Sequence, residues 1–409
     1  MSYTDIVIML PVAAKTELNV PGGSIPQDMA CYLDKIKEVS FYECDRRIAE
    51  SVERFWLGEF WLADMTDTYK EVERWLPVDL VLVYQRSTGL GIAQIFIENF
   101  QHNPTQIGDM VSSENLFFFV GGKGKTPPSL EEAVEKIQVS RFLSERFGLV
   151  KNGTSRVMYT LSLEDKNMED LVYLLAGESN VSQNIEYRLQ NSELEAAADQ
   201  NIAMYDFYEL YVSGRSLVYM LKDMKDSFAG NLPEEVLMIY ICEIAVLQNA
   251  ALCRINRQIT DELLCDSNIS SKTSLAMQME FGKTILLWDN NIYKYDVPQR
   301  LSAHIVKSFG TGELYEEYTK NSRHLEQIAM LKNNIASERE GAVLNGLALI
   351  LSIGQLVQLI SAAVAYARKL PVSANYTIAG CLGLLATVIF LLLLRRKMNR
   401  GILFCKKSK

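Results

Sequence analysis

Hydrophobic and polar positions divide the chain into three stretches of different period. Over residues 1–231, short apolar runs alternate with segments of helical spacing, the pattern of an α/β domain. Residues 5–12 (DIVIMLPV), 78–84, 91–97 (GIAQIFI), 115–120 (NLFFFV), 156–163 and 204–212 read as strands. Ser87, Thr88, Gly89, Leu90 and Gly91 supply a hairpin turn between the second and third of these. Residues 27–39 read as a helix. Ser129 with Glu132 forms a capping box, which predicts a helix from there to about Phe147.

From about residue 232 the strand pattern stops and helical spacing takes over. Residues 233–264 begin with Pro233, Glu234 and Glu235, the proline and acids that suit a helix start. A further helix is predicted at about 271–288, and another beginning near Leu301 and interrupted at Gly310 and Gly312. From Glu313 the helical spacing runs unbroken to Ala367, which at 1.5 Å per residue is about 80 Å. Leu314, Tyr318, Leu325, Ile328 and Ile335 form a coiled-coil-like seam along it, with Lys332 at one core position. A helix of that length needs support from copies of itself or from neighbouring helices.

Two runs near the C-terminus, 341–367 and 370–394, hold no charge. Each exceeds the ~20 residues that cross a ~30 Å hydrocarbon core, so both are expected to span a membrane. The expected organisation is an α/β sensor-like domain at 1–231, then a helical region with a long stalk helix at 232–340. A first transmembrane helix at 341–367, an outer link at 368–376, a second transmembrane helix at 377–394 and a basic tail at 395–409 complete it.

Charge sharpens this picture. Lys and Arg total 41 against 50 Asp and Glu, a net charge of −9. Residues 341–409 carry nine basic groups and no acid, so residues 1–340 carry −18. A body so acidic lacks the positive field that direct nucleic-acid binding requires. Seven basic residues follow the second run and only Arg368 and Lys369 precede it, so the positive-inside rule puts both termini in the cytoplasm. The expected location is the inner (plasma) membrane, crossed more than once. The opening MSYTDIVIML has no basic n-region and does not read as a signal peptide. Seven scattered cysteines without a CxxC pair, and three isolated histidines, predict neither a disulfide framework nor a metal site.

Polar residues in the first span are the main functional candidates. Asn345 and Ser352 lie seven apart on one helix face, Gln355 is close to that face, and Gln358 follows. In lipid such side chains are costly unless they meet protein or water. They are expected either to line a pore or to hydrogen-bond neighbouring helices. Two spans cannot enclose a channel, so a pore demands an oligomer. Glu338, Arg339 and Glu340 stand just before the span, as a charged inner ring or an interfacial anchor.

Gly121, Gly122, Lys123, Gly124, Lys125 and Thr126 are the candidate phosphate cradle for a nucleotide ligand, or else a basic hairpin tip. They do not form a Walker A loop, whose first glycine would fall at Phe119. No GxSxG or HExxH occurs, and no enzymatic activity is expected.

This layout resembles the CorA-type divalent-cation transporter superfamily. The resemblance is carried by residues 286–321 (LLWDNNIYKYDVPQRLSAHIVKSFGTGELYEEYTKN), by HLEQI shortly after, and by a long helix entering a C-terminal hairpin with a basic end. It covers residues 232–409, and the N-terminal domain by analogy. It implies a homopentamer whose first spans line a central pore. The family's Gly-Met-Asn signature is missing, and its place reads Ala365, Tyr366, Ala367, Arg368 and Lys369. Five copies of Arg368 and Lys369 would ring the outer mouth with about ten positive charges, which repels divalent cations. CorA-like membrane proteins without the signature include effectors of type III CRISPR defence, similar in plan, which answer a nucleotide messenger of S-adenosylmethionine linked to AMP. The resemblance therefore implies a ligand-gated pentameric channel or pore-forming effector in antiviral defence. A constitutive Mg, Co or Zn transporter, a membrane-tethered nucleotide-processing enzyme and a scaffold without a pore are the alternatives.

Overall fold

The computed structural model describes residues 4–15, 18, 25–65, 72–119, 136–179, 192–222, 233–264, 275–279, 281–282, 292–368 and 380. By contacts the chain divides into two compact units, Met1–Leu325 and Glu326–Lys409.

The first unit is built on a ten-stranded sheet. Its strands are β1 (Thr4–Ala14), β2 (Val52–Met65), β3 (Val72–Gln85), β4 (Leu90–Phe100) and β5 (Phe117–Phe119). They continue with β6 (Lys136–Gln138), β7 (Leu149–Lys151), β8 (Arg156–Ser162), β9 (Tyr208–Val212) and β10 (Ser216–Leu221). The order is β6-β5-β2-β3-β4-β1-β8-β10-β9, with β7 paired to the end of β1. Among the described strands, only β8 and β10 pair in parallel. β1 is buried along nearly its whole length, which is why its sequence is a continuous apolar run rather than an alternation. The β3–β4 hairpin turns at Gly89, whose φ is +68°. A Cβ at Gly91 would lie 2.6 Å from the Val83 carbonyl oxygen, so only glycine allows that pairing.

Helices cover both faces of the sheet. Ile6, Ile8 and Leu10 face a layer that includes α3 (Thr105–Ser112), α4 (Val139–Phe147) and α5 (Met168–Ala176). Next in chain order is α6 (Ser192–Asp199), whose buried Ala198 joins the same cluster. Val7 and Met9 face the opposite layer of α1 (Gln27–Glu43), α7 (Pro233–Leu264) and α8 (Asp296–Ser308), with the short α2 (Arg46–Ser51) beside it. After α8, α9 runs from Thr311 to Arg368 without a break. The chain thus has an α/β sheet domain followed by a helical C-terminal region.

Among the described residues two helices, Glu234–Leu264 and Thr311–Val364, are long and apolar enough to cross a membrane by length and composition. Their surroundings separate them. The apolar window of the first is 89% buried and that of the second 6%. Tyr240, Ile241, Ile244 and Leu247 of α7 are almost wholly out of water against the sheet, so α7 is the central helix of the domain. The second run expected to span a membrane, at 370–394, lies outside the described residues apart from Gly380.

Some local expectations change. The helix expected from Ser129 is replaced at 136–138 by strand β6, whose Ile137 pairs with Phe118 of β5. The helix starts only at Val139, and residues 129–135 lie outside the described residues. Pairing to a neighbouring strand outweighs a local capping pattern here. The strand expected at 204–212 begins at Tyr208, because Met204 to Phe207 form a turn.

One end of the sheet is acidic. Trp56 Nε1 donates to Asp79 Oδ1 at 2.7 Å. Glu98 is exposed, and partial desolvation, then the carboxylates of Asp5, Asp79 and Asp28, push its carboxyl up to about 6. A carboxyl that holds its proton more tightly folded than unfolded favours the fold below its unfolded pKa of about 4.3. That contribution is lost as pH rises through about 6. Glu98→Gln is therefore expected to raise the Tm at neutral pH and leave it unchanged near pH ~4. Thermal unfolding at both pH values checks this, and an equal shift at both would contradict it.

Candidate functional site

The first group of candidate residues lies on α9. Asn345, Ser352, Gln355 and Gln358 are all exposed. At about 100° per residue, Asn345, Ser352 and Gln355 fall within an arc of about 80°. Gln358 lies about 60° beyond Gln355, off that face. On another side of the helix, Gly346, Ile350, Gly354 and Val357 are half-buried and Ser361 is buried. The polar arc is centred about 180° from that covered stripe. The polar side chains therefore point away from the side that the chain itself covers.

Around the rest of the helix the apolar surface is open. Leu344, Leu351 and Leu356 are 65%, 69% and 58% exposed. An apolar surface this continuous marks contact with lipid or with another protein chain. Ser352 Oγ donates to the Ala348 carbonyl at 2.8 Å and Ser361 Oγ to the Gln358 carbonyl at 2.9 Å, which satisfies both hydroxyls within the helix.

The same spacing brings Gly341, Ala348, Leu359, Ala363 and Tyr366 onto the polar face. Sequence reasoning missed them because small and apolar residues do not stand out in an apolar run. Their signal was the three- and four-residue spacing from Asn345. Glu338, Arg339 and Glu340 are exposed on α9. Arg368 ends the helix, while its side chain and Lys369 lie outside the described residues, as do Gly121 to Thr126.

A second group holds the start of α9 to the sheet domain. The α8–α9 turn passes through Phe309 and Gly310, the latter at φ +68°. From α7, Asn249 Nδ2 donates to the Phe309 carbonyl at 3.1 Å and to Thr311 Oγ1 at 3.2 Å. About two turns further along α7, Asn256 Nδ2 donates to the Leu314 carbonyl in the first turn of α9 at 2.9 Å. Arg156, at the start of β8, stacks on the Phe309 ring at 4.9 Å and donates to its carbonyl at 3.4 Å. Burial holds the Arg156 guanidinium below its usual range, and nearby Arg215 adds to the effect, although an arginine stays charged at neutral pH. Phe281 stacks on Tyr318 at 4.1 Å between ring centres. The seam at Leu314, Tyr318 and Leu325 is thus covered, at least at Tyr318, by the chain's own residues.

Beside this turn lies a cavity of about 800 Å³, lined by Arg215, His304, Lys307, Ser308 and Glu313 among others. A groove of about 750 Å³ opens at the other end of α8, between the end of α1 and the start of α7. Both are of the size that takes a small organic ligand. No cluster of His, Cys, Asp and Glu suited to a metal ion occurs among the described residues.

Comparison with protein-family models, with curated proteins and with solved structures finds no match to this chain.

Proposed function

We propose that the chain is a subunit of a homopentameric membrane channel of CorA-like plan, gated by a small ligand bound on the α/β domain. One observation carries this reading. A single unbroken helix includes an uncharged, largely exposed stretch in which Asn345, Ser352 and Gln355 face away from the side the chain covers. Lipid would meet the open leucines, and water in a pore would meet Asn345, Ser352 and Gln355. Leu359, on the same face, would form an apolar ring able to close such a pore by dewetting.

In this reading the run at 370–394 is a second span, both termini are cytoplasmic, and the sheet domain is a cytosolic sensor. Glu338, Arg339 and Glu340 form the inner ring, and Arg368 and Lys369 the outer mouth. The polar latch of Asn249, Asn256 and Arg156 carries movement of the domain to the start of α9. The missing Gly-Met-Asn signature and the basic mouth argue against Mg²⁺ uptake. A pore-forming effector that answers a nucleotide messenger, as in type III CRISPR defence, fits the plan better.

The assembly is open to a direct test. Native mass spectrometry of the full-length protein in detergent is expected to give five copies. A monomer at every protein concentration would contradict the reading, because two spans cannot enclose a pore.

A further inference from the structure

The groove at the N-terminal end of α8 has a chemistry distinct from the rest of the surface. Within Met1–Leu325, five described aromatic side chains are strongly exposed, and four of them, Tyr42, Tyr205, Phe207 and Tyr295, line this groove. They come in two stacked pairs. Tyr42 lies on Tyr295 at 5.3 Å between ring centres, and Tyr205 on Phe207 at 5.7 Å. Leaving four such rings in water forgoes the burial that aromatic residues normally supply, so their concentration in one concave place calls for an occupant.

The charges say what kind. Glu38, Glu43, Glu234 and Asp296 line the groove against Lys35 alone. Asp296 is engaged by Arg300 at 2.9 Å. Glu43 has no such ion pair among the described residues. Burial raises the Glu43 pKa, with Lys294 opposing. An excess of carboxylates on the groove wall, beside stacked rings, favours a positive charge with a polarisable face. The same acids repel a phosphate.

We infer that this groove is a recognition site for a small organic cation, a quaternary or protonated amine held by Glu43 and the rings of Tyr42 and Tyr295. The amine's charge lies against Glu43, and its alkyl or ring face stacks on the aromatic wall. Tyr295 is the residue that precedes α8, and the other end of α8 leads into the latched Phe309 turn. Occupancy therefore bears on the helix that feeds α9. This last step rests on the channel reading, while the binding claim rests on the groove alone.

Calorimetry on the full-length protein in detergent tests it, with choline and tetramethylammonium as probes. The uncharged carbon isostere of choline, in which carbon replaces nitrogen, is the comparison. Both cations are expected to bind saturably, and the isostere about tenfold more weakly. Tyr42→Ala, Tyr295→Ala and Glu43→Gln are each expected to weaken cation binding about tenfold with an unchanged Tm, while Tyr315→Ala leaves it intact. Absence of saturable binding by either cation, equal binding of the isostere, or unchanged affinity in the three variants would overturn the inference. Binding without any ion flux would retain the site and sink the channel.

Discussion

Arg54→Ala is expected to destabilise the sheet domain by about 3–5 kcal/mol, the largest effect of any single truncation considered. Arg54 on β2 and Glu243 on α7 form an ion pair in which the side chains are 7% and 0% exposed. The guanidinium Nε donates to Glu243 Oε2 at 3.2 Å, Gln94 Nε2 donates to Oε1 at 3.1 Å, and Arg54 lies 5.5 Å from the centre of the Tyr240 ring. Burial holds Glu243 above the usual carboxylate range, with Arg54 and Gln94 opposing. Removal of Arg54 leaves the carboxyl to take up a proton or remain charged without a partner. Both are costly in a dry interface. A fall in Tm of roughly 10 °C is expected by thermal unfolding of the detergent-solubilised protein. The double variant Arg54→Met with Glu243→Leu is expected to recover most of it, because a packed apolar pair avoids both desolvation penalties. An unchanged Tm in Arg54→Ala would show that the pair does not seat α7 on the sheet.

Leucine at Asn345, Ser352 and Gln355 together is expected to cut ion flux at least tenfold. These are the polar side chains turned away from the covered stripe of α9. If they meet water in a pore, three leucine rings raise the cost of hydrating it along most of its length. If they only bond neighbouring helices, the variant loses assembly rather than conductance. Mass measurement alongside flux separates the two. Leu349→Ile, at an exposed position off the polar arc, is expected to leave both unchanged. Full conductance in the triple variant would remove these residues from the pore.

Much of the sheet was legible because its central strands are buried on both faces. β1, β3 and β4 read as apolar runs long enough for strands and too short for helices. The limits of α7 were visible in Pro233, Glu234 and Glu235, but its position was not. A helix apolar on all sides reads alike whether it crosses a sheet or a bilayer, and only the sheet around α7 decides. β2 was not visible, because Glu53, Arg54, Glu59 and Asp64 break its apolar pattern. Its buried arginine is explained only by Glu243, 189 residues away.

The site shows the same division. The spacing of Asn345, Ser352 and Gln355 indicated a common face, yet not which way that face turns. Leu359 and Tyr366 share it but carry no compositional signal. The aromatic groove draws Tyr42, Tyr205 and Tyr295 from distant segments, so no local pattern could assemble it.

The most direct test of the central claim is K⁺ and Mg²⁺ flux through full-length protein reconstituted in liposomes. Candidate nucleotides and organic cations are supplied in turn to the face that carries the sheet domain. Flux that appears only with a ligand present is the expected result. Steady Mg²⁺ entry without any ligand would contradict the account and restore the constitutive transporter, and no flux under any condition would leave α9 without a pore.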